Sequence, residues 1–379
     1  MSNLIKPLIL YEGSYTEADL EAFKSKNKIW KIVDIYKKQL FELFETQNPH
    51  LRVEPNFQDK VEEFIIDKTR DGDRVLGNWV YFPWNGFLIH ILPEEDYERV
   101  RTNRNRNLIT EDEQRKLKDF EVGVVGLSVG NNVAVGLAYC GISQTIKLAE
   151  YDTLRTSNLN RLRAPLMSMG SPKINLAAQQ IYEISPYSKV ELFSHGLKKD
   201  TLDAFFTESP KIRLVFDEID DFEMKIRIRH KARELRVPVI MLTNLGDSFL
   251  VDVERYDQDP QLEIFNGLLG NVPEEVLKVS ITEKDKVKYA IQFVGLDNVP
   301  TRALGSLLEI NRTIVSRPQL YSTVTISGGV GAYLVRKIAM GENVKSGRRR
   351  VSLNEVFDLT EDTSQRTSFI EKIKGVLGA

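Results

Sequence analysis

The chain has 379 residues, 42% of them hydrophobic and 28% charged, enough apolar material for one large domain with an appendage. A formal net charge of −2 supplies no global field toward nucleic acid or membrane, and no apolar run approaches the roughly 18 residues of a spanning helix. A single cysteine, Cys140, excludes an intrachain disulfide and any zinc site of paired Cys-x-x-Cys motifs. Residues 1–12 lack the charged start and cleavage site of a signal peptide, so a soluble, cytoplasmic protein is expected.

In chain order, residues 16–44 read as one helix, with Thr16 and Asp19 at capping-box spacing, and 58–68 as a further short helix. The apolar runs 78–82 and 87–92 flank Pro83-Trp84-Asn85-Gly86, and Asn-Gly in that setting signals a hairpin. Residues 1–95 are therefore expected to form a small α+β appendage. Trp79 and Trp84 offer either a recognition surface or, more commonly, packing under the hairpin, and His90 reads as a structural side chain. A basic run follows from Arg99, and Thr110 with Glu113 opens a polar helix by a second capping box.

The chemistry concentrates between 122 and 173. Val122-Gly-Val-Val-Gly126-Leu-Ser128-Val-Gly130-Asn131 joins a short apolar run to an amphipathic segment, and Leu148-Ala-Glu150-Tyr-Asp152 is a second apolar run ending in acid. This is a strand–loop–helix–strand unit whose loop and helix N-terminus suit a phosphate. Glu150 lies 24 residues after Gly126, close to the spacing of a ribose-binding acid. Asn158 and Arg161 stand three apart, so one helical turn presents both on one side. Ser171 suits a helix cap and Pro172 a first turn, which puts Lys173 where the helix dipole disfavours a cation unless an anion sits close by. An exposed, solvated lysine is the plain alternative.

Beyond this stretch, 214–216 is a buried-type strand followed by Asp217-Glu218-Ile219-Asp220-Asp221 and a helix to about 235. Carboxylates at such a strand end suit Mg²⁺, which takes oxygen ligands; Asp220 or Asp221 would also serve as a helix N-cap. The cations of 225–236 fall all around their helix. Residues 237–242 and 251–256 read as strands and 273–277 and 301–310 as helices, and the small residues of 326–341 would let backbones approach closely. The basic run 345–350 suits either phosphate or nucleic acid, or a solvated turn.

Gly126-x-Ser128-x-Gly130, Glu150-Tyr-Asp152, Ser157-Asn158-Leu-Asn-Arg161 and Gly170-Ser-Pro-Lys173, in that order, resemble the ThiF/MoeB/HesA superfamily, the adenylating domains related to ubiquitin-activating enzymes. The resemblance covers residues 101–253 well, the last third faintly, and 1–95 not at all. It implies an α/β, Rossmann-like, mostly parallel sheet with helices on both faces, making 96–379 the nucleotide-binding adenylation domain. It further implies ATP and Mg²⁺ as cofactors, a homodimer, and a carboxylate substrate, the C-terminus of a small ubiquitin-like protein or a peptide. Gly126, Ser128, Gly130 and Asn131 then form the phosphate loop, with Glu150 at the ribose. Asn158, Arg161 and Lys173 meet the phosphates, and Asp152 supports the site by orienting an arginine. Asp217 and Asp220 match the family's Asp-x-x-Asp, with Asp220 the metal carboxylate. In the family an arginine before the first strand reaches the phosphates, in some dimers from the neighbouring subunit; Arg104 and Arg106 both qualify. Leu162 stands where members often carry Gln, and the ribose acid is Glu instead of Asp.

A carboxylate nucleophile is already ionised at neutral pH, so no histidine base or cysteine is required. Cys140 is expected to be buried, and no on-chain thioester is expected. Two other readings use fewer of these residues. A dinucleotide oxidoreductase leaves Asn158, Arg161 and Lys173 without a task, and a degenerate binding subunit leaves Arg161, Lys173 and Asp220 unexplained.

Overall fold

The structure, a computed structural model, describes residues 5–70, 72, 75–278 and 282–377, so the first four residues of the N-terminal stretch considered above lie outside the described residues. The chain divides into two compact units, 1–115 with 178–188, and 116–177 with 189–379.

In the first unit β1 (Leu8–Leu10), β2 (Lys31–Asp34), β3 (Asn78–Phe82) and β4 (Phe87–Ile91) form a sheet in the order β1-β3-β4-β2. The β3–β4 hairpin forms as expected, with Gly86 at φ +74 in its turn. Residues 16–44 are not one helix. Glu17–Lys26 and Tyr36–Gln47 are helices, and β2 lies between them, parallel to β4. The Thr16–Asp19 box is present, but Asn27 ends the first helix in an extended conformation, and the β-branched Ile32 and Val33 pair with β4. His90 is buried between Trp79 and Tyr36, ring centroids 4.4 and 4.6 Å away, and bonds to Asp34 and the Leu76 carbonyl. Trp79 is buried as packing, while Trp84 donates to Glu183 at 2.6 Å.

In the second unit β5 (Val122–Val125), β6 (Thr145–Ala149), β7 (Lys189–Phe193), β8 (Leu214–Asp217), β9 (Val239–Leu245), β10 (Ser248–Glu254) and β11 (Gly347–Ser352) make a seven-stranded sheet. Its order is β11-β10-β9-β8-β5-β6-β7; β5 to β9 are parallel and the β10–β11 edge is antiparallel. Parallel strands buried on both faces must be apolar on both, which is why β5 and β8 read as continuous runs. On one face Val125, Val215, Val239 and Met241 pack with Phe205, Phe206 and the Phe222–Glu234 helix. On the other, Gly331 of the Tyr321–Ala339 helix sits against Phe216, Leu242 and Val133 of the Gly130–Cys140 helix. Helices thus cover both faces of a Rossmann-like sheet.

Val125 pairs with Ala149 on one side and Asp217 on the other, so β5, β6 and β8 finish level and open a crevice at their carboxyl ends. The region after residue 278, weak in sequence, includes a helix, Glu283–Val294, capped by Thr282 and Asp285. Residues 345–350 are not a solvated turn: β11 pairs with β10, and Arg348 meets Asp252 at 2.8 Å. No helix among the described residues is long and apolar enough to cross a membrane.

Candidate active site

The glycine loop is dictated by space. Gly126 has φ +86, and a Cβ there would stand 2.5 Å from the Glu218 carbonyl oxygen, so no other residue fits without displacing backbone. Its N–H donates to Ala149 at 2.8 Å, while Glu218 N–H donates to Val125 at 2.8 Å, fixing the loop between β6 and β8. Gly130 lets the helix lie on β5, since a Cβ would meet Val124 Cγ1 at 2.7 Å. Val129 holds the cap position and its side chain makes no cap bond, so the Gly130–Cys140 helix starts directly at the glycine loop. Ser128 is half-buried and Asn131 buried.

Glu150 is 7% exposed and binds three backbone amides: Leu127 of the glycine loop at 2.9 Å, Tyr151 at 2.8 Å and Asp152 at 2.9 Å. It buckles the loop to the end of β6, leaving about one of a carboxylate's four acceptor positions for a ligand hydroxyl. Residues 152–154 run alongside 170–173, with Leu154 N–H on Ser171, Gly170 N–H on Leu154 and a bridge between Thr153 and Pro172. Leu154, Leu162 and Leu176 pack beneath, which accounts for an apolar residue at 162. The helix opens at Lys173, one residue later than the cap signal suggests, and Pro172 accepts from Leu176 N–H at 3.3 Å.

That zipper decides what Asp152 orients. Its carboxylate takes Lys173 Nζ at 2.9 Å, so it holds a lysine and not an arginine as expected. The anion that the position of Lys173 demanded is therefore on the chain itself, and the ammonium is largely buried with this one carboxylate partner. Asn158, buried in the turn Thr156–Asn158, accepts from Arg155 N–H at 2.9 Å. Arg161 bonds Ser157 O at 3.1 Å and Asn160 Oδ1 at 2.9 Å, and its Nε reaches Ser128 Oγ at 3.4 Å. Burial pushes its guanidinium down, and the charge of Asp220 opposes this. The Tyr151 phenol is pushed up by burial and then by Asp152, Glu150, Asp220 and Asp221. Loop, cations and acids thus share one rim.

The acidic strand end divides its labour. Asp217 is wholly buried, where Lys225 and Arg229 overcome the effect of burial and hold it below the ordinary range. Asp221 caps the next helix by accepting from Met224 N–H at 3.0 Å. Asp220 has a side chain 98% exposed, makes no helix cap, and has the Arg317 guanidinium 3.5 Å away. No group of three or more His, Cys, Asp or Glu among the described residues is gathered for a metal. The donor set fits an ion such as Mg²⁺, which takes one carboxylate and completes its shell with phosphate and water. Cys140, at the end of its helix, is half-buried instead of buried. Arg104 and Arg106, in and just after the turn Asn103–Asn105, are both exposed.

Sequence reading missed Arg229, whose Nε meets Glu254 at 2.8 Å, and Arg317, nearly 100 residues from its partner. It also missed Tyr321, whose hydroxyl accepts from Arg163 at 2.8 Å. None carries a local motif.

A relative in Mycobacterium tuberculosis (strain CDC 1551 / Oshkosh), the uncharacterized protein MT1398, is 38% identical over 280 residues, covering 74% of this chain and 38% of its own length. Ubiquitin-like modifier-activating enzyme 5 of Arabidopsis thaliana is 26% identical over 162 residues, 38% of this chain and 36% of that protein. The chain therefore spans well under half the length of either relative. The crystal structure of selenomethionine PaaA shares the fold at TM-score 0.51, with 20% identity over 70% of this chain and 82% of PaaA. Residues 102–296, just over half of the chain, match the model of the ThiF family. With its glycine loop, buried lysine and level strand ends, the chain belongs to the ThiF family.

Proposed function

We propose that this protein uses ATP to adenylate a carboxylate, the C-terminus of a small ubiquitin-like protein or a peptide. One observation carries the reading: Lys173 and Arg161 are held partly out of water beside a glycine-opened helix N-terminus, by Asp152 and Ser128. Family membership and the ubiquitin-like modifier-activating relative support it.

In this reading residues 96–379 are the adenylation domain and 1–95 an appendage. Gly126, Ser128, Gly130 and Asn131 bed the phosphates, Glu150 uses its remaining acceptor position for a ribose hydroxyl, and Asn158 lines the phosphate chain. A carboxylate oxygen attacks the α-phosphorus; the new C–O–P link forms as the bond to the bridging oxygen breaks and pyrophosphate departs. Arg161 and Lys173 offset the charge that builds on the α-phosphate oxygens. Asp220 would hold Mg²⁺, which when bound would neutralise phosphate charge. Arg104 or Arg106 adds a further cation, within a cytoplasmic homodimer. Cys140 takes no part, so activation ends at the acyl-adenylate or passes to an external nucleophile.

The test is carboxylate-dependent ATP–pyrophosphate exchange with C-terminal tails of small ubiquitin-like proteins. Exchange above the carboxylate-free background supports adenylation. ATP binding without exchange for any carboxylate would make the chain a non-catalytic binding member.

A further inference from the structure

A groove of about 790 Å³ lies between the helices Thr301–Glu309 and Arg366–Leu377. This is the size range of ligand sites. Its floor is apolar, with Leu308, Ile314 and Phe369, and its charged lining is Arg302, Arg312 and Lys372 against the single acid Glu309. Glu309 is occupied by Thr313 Oγ1 at 2.8 Å. The three cations make no side-chain hydrogen bond or ion pair among the described residues, although Asp362 feels the charge of Arg302.

One chain link joins the groove to the site described above. Pro318 lines it, and its chain neighbour Arg317 reaches Asp220 at 3.5 Å. The next residue, Gln319, takes Asn160 Nδ2 on its carbonyl at 2.7 Å, while its own Oε1 is buried without a partner.

We propose that this groove seats an acidic, apolar-bearing peptide segment, the part of the substrate just before its activated carboxylate. The proposal deepens the adenylation reading and rests on it. A net positive rim over an apolar floor selects acidic side chains interleaved with apolar ones and disfavours basic tails.

The experiment uses the full chain to select from a library of random heptapeptides displayed with free C-termini. Tails carrying Asp or Glu beside Leu, Ile or Phe should be enriched, and Arg312→Glu with Lys372→Glu should weaken the selected tail about tenfold at unchanged Tm. Basic tails winning, no enrichment, or enrichment untouched by the double reversal overturns the proposal. Calorimetric binding of laurate without peptide enrichment also overturns it, in favour of a small amphiphile. Selection by a wild-type chain that shows no exchange keeps the groove and fails adenylation; exchange without selection does the reverse.

Discussion

Asp152 receives Lys173 twice, its carbonyl accepting the backbone N–H and its carboxylate the ammonium, each at 2.9 Å. The pair is unsymmetrical, with side-chain exposures of 9% for the lysine and 52% for the aspartate. Removing the lysine leaves a carboxylate that water can reach; removing the carboxylate strands a buried ammonium. Asp152→Ala should therefore cost about 1–3 kcal/mol of stability and Lys173→Met less than about 1 kcal/mol. Lys173→Met should nonetheless lower exchange by about 10²-fold or more. Urea unfolding of both variants checks the order, and the reverse order would contradict the geometry.

Adjacent acids at the end of β8 should separate function from folding. Asp220 is exposed and makes no helix cap, so Asp220→Ala is expected to lose exchange at unchanged Tm. Asp221 caps the following helix, so Asp221→Ala should cost about 1 kcal/mol with exchange retained. Thermal unfolding run beside the exchange assay distinguishes them.

Arg229 joins Asp217 and Glu254 with all three side chains buried. Arg229→Met leaves buried Glu254 without a cation and Asp217 with Lys225 alone, and should destabilise the protein by about 3–5 kcal/mol. Asp217 titrates below its ordinary 3.8 in the folded state, so its contribution is complete above that value and fades as pH falls through the lower folded one. Asp217→Asn, though less stable at neutral pH, should lose less further stability than wild type on acidification below about pH 4. Denaturant unfolding as a function of pH reads the slope directly.

Cys140 is the only cysteine in the sequence and closes the helix whose opposite end borders the glycine loop. Cys140→Ser should leave exchange at the wild-type rate and give the same acylated species by mass spectrometry. A hydroxylamine-sensitive acyl-protein that vanishes in the variant would contradict activation without an on-chain thioester.

The parallel strands were legible because burial on both faces forces continuous apolar runs, and Gly126 because its φ and crowding admit nothing larger. Strand β2 was not legible, being four residues between two stretches of good helix formers, and only pairing with β4 makes it a strand. Asp152 and Lys173 were both singled out, yet their contact depends on 152–154 zipping against 170–173, which no local pattern announces. Arg229 reads as one more cation on a solvated helix until Glu254 arrives from β10. Arg317 belongs to Asp220 only through the tertiary fold. Spacing along one element survives in sequence; partners from distant elements do not.

The central claim is tested most directly by a crystal structure of the full chain with Mg²⁺ and an ATP analogue resistant at its α,β-bridge. The account predicts phosphates over the Gly126–Gly130 loop, within hydrogen-bond distance of Lys173 Nζ and Arg161, and a metal ion on Asp220. Nucleotide bound elsewhere, or Lys173 still engaged solely with Asp152 and turned from the phosphates, would contradict it.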